Sequence, residues 1–370
     1  MKIIIDGNTL KNGKAGIGHY TYNLITNMKP IFNDQETLTV GIRQDVLATT
    51  GDPGLDGIDI LPVQERSYSK YSLFCPSWLK SYDIYHQPNY VPHAFNGIKI
   101  VTVHDMSHRV FPQYHPRRRV ALLRAFEHRL RKADHILTVS AYSRSEIREM
   151  LKVPEEKITV TYLGAGSQFQ PLTLSAEMRQ LLRERYRLPE RFLLYVGTIE
   201  PRKNLQRLIE AYHLYRQEEP NSDLKLILAG GKGWLYEDIF AQVKTLHLEK
   251  DVIFTGYVDS ADLPGLYNMA EAFVYPSLYE GFGLPPLEAM ACGTPVISST
   301  VASIPEVVGQ AGILVDPYQT KELAQAIHKL AGSASLRESM SKLGLEQARK
   351  FSWQQCAAET LRVYRECMKK

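Results

Sequence analysis

The chain has little cysteine. Cys75, Cys292, Cys356 and Cys367 are scattered through 370 residues with no Cys-x-x-Cys pair, which speaks against a zinc site or a disulfide framework. A reducing cytoplasm is the expected location. No uncharged apolar run approaches the ~18 residues that a spanning helix needs, so no membrane span is expected. Met1-Lys-Ile-Ile-Ile-Asp6 holds three apolar residues before a charge and is predicted to be a strand, not a signal peptide. The net charge of +4 is mild, and nothing supplies the basic, aromatic-studded groove of a nucleic-acid binder. Asp-x-Asp does not occur, and the eleven histidines suggest no metal cluster.

What is present is alternation. Short apolar runs such as Phe192-Leu-Leu-Tyr-Val196 recur between longer helix-period segments. That pattern predicts βαβ units and largely parallel sheets whose strands are covered on both faces. The length exceeds one ordinary core, so two domains of roughly 150–200 residues are expected. The turn-rich stretch from Tyr162 to Pro171 marks the boundary. The predicted division is an N-terminal domain over 1–170 and a second over 171–350, each doubly wound. Ser352 and Gln355 form a capping-box pattern before a last helix over 353–370.

Polar residues that fall just beyond the carboxyl ends of parallel strands sit where such sheets bind ligands. The richest segment is Tyr275-Pro-Ser-Leu-Tyr-Glu280-Gly-Phe-Gly283-Leu-Pro-Pro-Leu-Glu288. It sets two carboxylates eight residues apart around a glycine turn, with a strand predicted before it and a helix over Pro286 to Cys292 after it. Such a turn exposes backbone N–H groups suited to phosphate. A sugar nucleotide, with hydroxyls at both ends and phosphate between, suits this arrangement. A paired-acid hydrolase is the rival use of two glutamates, and the phosphate-friendly turn between them argues against it. Glu288 stands among apolar neighbours and so needs partners.

Three further motifs follow predicted strands. Gly13-Lys-Ala-Gly16-Ile-Gly18 departs from the Gly-x-Gly-x-x-Gly dinucleotide spacing yet lets backbone approach an anion. His104-Asp105 ends another strand, where Asp105 could equally cap a helix. Gly197-Thr-Ile-Glu200-Pro-Arg202-Lys203-Asn204 puts two cations at a helix start. The helix dipole disfavours them there, so the pair makes sense if an anion arrives from outside. A basic helix over Arg117–Lys132 carries an apolar stripe of Val120, Leu123, Phe126 and Leu130. Arg117, Arg124 and Arg131 form another face, either a solvated surface or one attracted to anionic lipid.

Taken in order, Gly13–Gly18, His104-Asp105, Gly197–Asn204 and Glu280 to Glu288 resemble the retaining glycosyltransferases of family 4, over essentially the whole length. The resemblance implies the GT-B fold, two Rossmann-like doubly wound domains facing across a cleft, with the last helix returning to the N-terminal domain. It implies that Arg202 and Lys203 hold the donor diphosphate, Glu288 the ribose and Glu280 the transferred sugar. Gly283 and Leu284 would face sugar and phosphates through their backbone, and Gly256, Tyr257 and Val258 the base. His104 would line the sugar side, and Gly16 would approach the phosphates. The implied activity is metal-independent transfer of glucose or mannose from a UDP- or GDP-sugar to a glycan or lipid-linked saccharide in cell-surface polysaccharide synthesis. No cofactor beyond the donor is expected. The cytoplasmic enzyme would sit peripherally at an anionic membrane through the Arg117–Lys132 helix. A sugar-nucleotide epimerase, a phosphorylase and a non-catalytic sugar-nucleotide binder are the alternatives.

Overall fold

The computed structural model describes residues 1–10, 16–51, 53–65 and 74–369, so Gly13, Lys14 and Ala15 of the first glycine loop lie outside the described residues. The chain divides into two compact units, Met1–Leu163 with Ser352–Lys370, and Gly164–Phe351.

The first unit runs β1 (Lys2–Asp6), α1 (Ile17–Met28), β2 (Thr37–Arg43), α2 (Gln44–Thr50), β3 (Asp59–Val63), β4 (Ile84–Gln87), β5 (Ile98–Val103), α3 (Ser107–Val110), α4 (Arg117–Arg131), β6 (His135–Thr138), α5 (Ala141–Leu151) and β7 (Ile158–Val160). Among the described residues its sheet has the order β3-β2-β1-β4-β5-β6-β7, and every pairing is parallel. Ile3, Ile4 and Ile5 are all buried, as a strand covered on both faces requires. The strand order reverses direction between β1 and β4.

The second unit runs α6 (Ala176–Tyr186), β8 (Phe192–Val196), α7 (Leu205–Glu218), β9 (Lys225–Ala229), α8 (Glu237–Thr245), β10 (Val252–Gly256), α9 (Leu263–Met269), β11 (Ala272–Tyr275), α10 (Leu284–Ala291), β12 (Val296–Ser299), α11 (Ile304–Val308), β13 (Gly312–Val315), α12 (Thr320–Ala331) and α13 (Ala334–Ala348). Its sheet, also parallel, has the order β10-β9-β8-β11-β12-β13. Here the reversal falls between β8 and β11. A last helix, α14 (Trp353–Cys367), packs on α1 of the first unit and buries Trp353, Cys356, Leu361 and Tyr364. Ser352 caps it, its hydroxyl accepting from the Gln355 N–H at 3.2 Å.

Two sequence-based boundaries shift. Residues 164–170, expected in the first domain, group with the second unit. The Asn268 side chain holds them there, donating to Gln170 O at 3.0 Å and accepting from Leu172 N at 2.8 Å, while Phe169 packs edge-on against Tyr267. Helix α10 begins at Leu284 rather than Pro286. Both prolines lie in its first turn, where a missing N–H costs no hydrogen bond.

Helix α4 matches its expected span closely. Val120 and Leu130 are buried, Leu123 and Phe126 half-buried, and Arg117, Arg124 and Arg131 exposed. The buried face is more polar than its apolar stripe suggests. Glu127 is buried against Arg109 and His108. Arg129, grouped with the basic run by sequence, is also buried, with its guanidinium over Phe126 and a bond to Pro92 O at 3.1 Å.

Candidate functional site

The reversal between β8 and β11 places the loops after those two strands side by side, where a doubly wound sheet opens to ligands. Lys203 arrives from the first loop and Glu280 from the second. Lys203 Nζ donates to Glu280 Oε1 at 2.6 Å and to the Tyr275 hydroxyl at 2.8 Å, and the same hydroxyl reaches Glu280 Oε1 at 3.0 Å. Arg202 Nη1 lies 3.3 Å from Glu280 Oε2 and donates to Tyr279 O at 2.6 Å, while Nη2 donates to Glu200 Oε1 at 2.7 Å. Burial alone would raise the Glu280 carboxyl, but the charges of Lys203 and Arg202 outweigh it and hold it at about 2. Lys203 is pushed down by burial and by Arg202.

This cluster corrects one inference from sequence. The two cations do not wait for an external anion, because the unit supplies Glu200 and Glu280 as counter-charges. Burial forbids leaving them unpaired. Lys203 spends two of its three N–H donors on Glu280 and Tyr275. Asn204, by type a helix cap, instead gives its amide to Pro276 O at 3.0 Å and Pro317 O at 2.7 Å. No side chain therefore caps the amino end of α7.

The loop carrying Glu280 is pinned from below. Ser303 Oγ lies 2.9 Å from Glu280 O and 2.8 Å from Phe282 O, and Ser298 Oγ donates to Tyr275 O at 2.7 Å. Gly283 follows with φ 109°, a conformation for glycine, and an added Cβ would meet Ile304 Cδ1 at 2.9 Å. Since Pro285 and Pro286 have no N–H, the amides of Gly283 and Leu284 are the donors this helix start can offer. Glu288, one helical turn into α10, keeps apart from the ion cluster. Its Oε2 accepts from the Tyr267 hydroxyl at 3.0 Å, and burial pushes its carboxyl up to about 8, although part of its surface stays open.

On the other side of β8, the loops after β9 and β10 complete a cleft of about 490 Å³ lined by Gly230, Lys232, Phe240, Phe254 and Gly256 among others. Gly230 N donates to Gly256 O at 2.8 Å, and Ile199 N donates to Gly231 O at 2.9 Å, so the loops after β8, β9 and β10 form one layer. Gly256 turns with φ 73°, Tyr257 is exposed and Val258 buried. The Lys232 ammonium stands 5.0 Å from the Tyr236 ring centre and 5.1 Å from that of Phe240. Sequence reasoning missed Lys232, Glu200 and Tyr275. The run Gly230-Gly231-Lys232-Gly233 directly after a strand was the available signal for the first.

In the first unit, Gly16 opens α1 with φ 43°, near the β1 side of the reversal. His104, after β5, turns its Nε2 to Pro88 O, after β4, at 2.9 Å. A carbonyl only accepts, so Nε2 carries the proton. Burial lowers the affinity of this imidazole for a second one, leaving Nδ1 as an acceptor. Asp105 Oδ1 accepts from the Ser107 N–H at 2.8 Å and from Tyr90 OH at 3.3 Å. His104 and His108 stand four apart, a spacing that can hold metal, but His108 Nε2 is taken by Glu127 Oε1 at 3.1 Å. Among the described residues no group of three or more His, Cys, Asp or Glu could hold a metal ion.

Comparison with known proteins bears on the family and the fold. The model of the family described as glycosyl transferases group 1 matches residues 178–347, and that of glycosyltransferase family 4 matches residues 54–166. The Escherichia coli O-antigen chain mannosyltransferase B is 36% identical over 395 aligned positions, covering 99% of this chain and 100% of that protein. Among solved structures, a glycosyltransferase from Rickettsia africae superposes with a TM-score of 0.77 at 19% identity, over 100% of this chain and 99% of the other. Anabaena HepE in complex with UDP-glucose does so at 0.75 and 19%, over 98% and 100%. Two parallel-sheet Rossmann-like units, the ordered motifs and a full-length relative together show that the chain belongs to the family 4 glycosyltransferases of GT-B fold.

Proposed function

We propose that the protein is a retaining hexosyltransferase, moving mannose or glucose from a GDP- or UDP-sugar to a glycan or lipid-linked saccharide during cell-surface polysaccharide synthesis. The full-length relative named as an O-antigen chain mannosyltransferase supports the polymer class and the hexose, and the UDP-glucose complex of HepE supports a nucleotide-sugar donor.

The observation that carries the reading is the buried Arg202–Lys203–Glu280 cluster beside the amides of Gly283 and Leu284. The departing diphosphate is met by the third ammonium N–H of Lys203 and by the Arg202 guanidinium, whose charges Glu200 and Glu280 partly offset, plus N–H donors that need no reorganisation. Glu280, ionised throughout the physiological range, can only accept, and so binds hydroxyls of the transferred sugar. Glu288 receives the ribose hydroxyls, and Gly256, Tyr257 and Val258 border the base. Within the first unit, His104 keeps Nδ1 as an acceptor suited to a sugar hydroxyl, and the start of α1 at Gly16 suits a phosphate. An oxocarbenium-like transition state then forms as positive charge is concentrated at the leaving group, with no metal required.

A thermal-shift panel of UDP-, GDP- and ADP-sugars identifies the donor, since a ligand of the native state raises its melting temperature. Failure of every nucleotide sugar to do so, or full transfer by Arg202→Ala with Lys203→Ala, would sink the proposal. Transfer should survive EDTA; loss restored only by magnesium would remove the metal-independent step.

A further inference from the structure

Beneath His104 runs a chain of buried polar groups that the transfer chemistry does not use. The Tyr20 ring, on α1, stands edge-on to the His104 ring with centroids 4.8 Å apart and planes at 85°. Its hydroxyl lies 2.8 Å from Thr102 Oγ1 on β5. Thr102 Oγ1 lies 2.7 Å from Nε2 of His86 on β4, and His86 Nδ1 lies 2.5 Å from the hydroxyl of Tyr364 on α14. All four side chains are buried. Trp353, at the other end of α14, also reaches Tyr20, with ring centroids 6.3 Å apart.

We propose that Tyr20 is a positioning residue for His104, held in place by the relay Thr102–His86–Tyr364, so that the terminal helix sets the orientation of the sugar-side imidazole. The proposal rests on the role assigned to His104 above. Two contacts fix that ring. The Pro88 carbonyl selects the tautomer, and the Tyr20 edge blocks rotation of the ring about its stem, which aims Nδ1. Tyr20 can block only if it is itself immobile. A phenol bonded at its far end into a dry, fully paired network is more rigid than one resting on apolar contacts. His86 is kept neutral by burial, which pushes its imidazole down to about 3. It therefore donates on one side and accepts on the other, and the relay has a single sense at any moment.

The test uses the full-length chain with ¹⁵N-labelled histidine, the His104 resonances being assigned through His104→Gln. Release of nucleoside diphosphate from GDP-mannose and UDP-glucose is measured alongside. Tyr20→Leu is expected to shift the His104 ring resonances and lower kcat about tenfold with donor KM unchanged. Tyr20→Phe and Tyr364→Phe, which keep their rings, should shift the same resonances and lower kcat about two- to threefold. Tyr364 touches the relay about three residues away from His104, so a response there reports transmission rather than contact. His104 resonances that coincide with wild type in all three variants would overturn the proposal, as would a fall in kcat that tracks lost melting temperature alone. The resonances read the relay even if neither nucleotide sugar turns over. Wild-type turnover by His104→Gln would defeat the role of His104 and leave the relay standing.

Discussion

Lys203 holds Glu280, and the converse is equally true. Replacing one member of a buried ion pair strands the other in low dielectric, at a cost of about 3–5 kcal/mol. Lys203→Met should therefore lower the unfolding free energy from urea titration by that much, and adding Glu280→Gln should recover part of it. A double variant no more stable than Lys203→Met would show that the two are not coupled. The pair also sets an acid limit. A carboxyl held at about 2 contributes stability that is complete above the ordinary glutamate range and lost as pH falls through about 2. Glu288 works in the opposite sense. Its folded-state value is raised to about 8, so its contribution is fully present below the ordinary glutamate range and disappears as pH rises through about 8. Glu288→Gln should flatten that decline in urea titrations across the range; an unchanged slope would remove Glu288 as its source. Because ligand hydroxyls favour the carboxylate, nucleoside diphosphate binding near neutral pH should release a proton in the wild type. Calorimetry in buffers of different ionisation enthalpy should find less release from the variant. Both glutamates were visible in the sequence. Their opposite electrostatics were not, because Lys203 and Tyr267 come from outside the segment that carries them.

At the scale of elements, the layer formed by the loops after β8, β9 and β10 depends on two glycines meeting. A Cβ on Gly230 would fall 1.9 Å from Gly197 O, against backbone that cannot swing aside. Gly230→Ala should cost more than about 2 kcal/mol and abolish nucleotide binding by prising the loops apart. Wild-type binding by a folded Gly230→Ala protein would dissociate this contact from the site. The strands themselves were legible, since uninterrupted apolar runs such as Phe192–Val196 can hardly be anything but buried strands. The start of α10 was misplaced because proline reads as a boundary, whereas here two of them occupy the first turn. Lys232 escaped notice because nothing local shows that its loop lies against the one after β8; only the sheet order does.

The described residues contain no helix long and apolar enough to cross a membrane. The exposed Arg117, Arg124 and Arg131 of α4 offer positive charge at about 1 kcal/mol per basic residue near an anionic leaflet. Sedimentation should recover the protein with vesicles containing phosphatidylglycerol and not with neutral ones, and neutralising these three arginines should abolish the difference. Equal recovery from both vesicles would retire the idea. The division into two units was legible in length and in the turn-rich stretch from Tyr162 to Pro171. Its edge was not, because Asn268 recruits that stretch from a distance.

The departure of the chain from the first unit at Leu163 and its return at Ser352 has a consequence for synthesis. The face of α1 that α14 covers, and the His86 side chain that meets Tyr364, stay bare until the ribosome has passed the second unit. The second unit, uninterrupted from Gly164 to Phe351, can close while its nascent amino-terminal neighbour still lacks α14. The half made first is thus the half finished last, and a chaperone that shields exposed apolar grooves has its natural target on α1 during that interval.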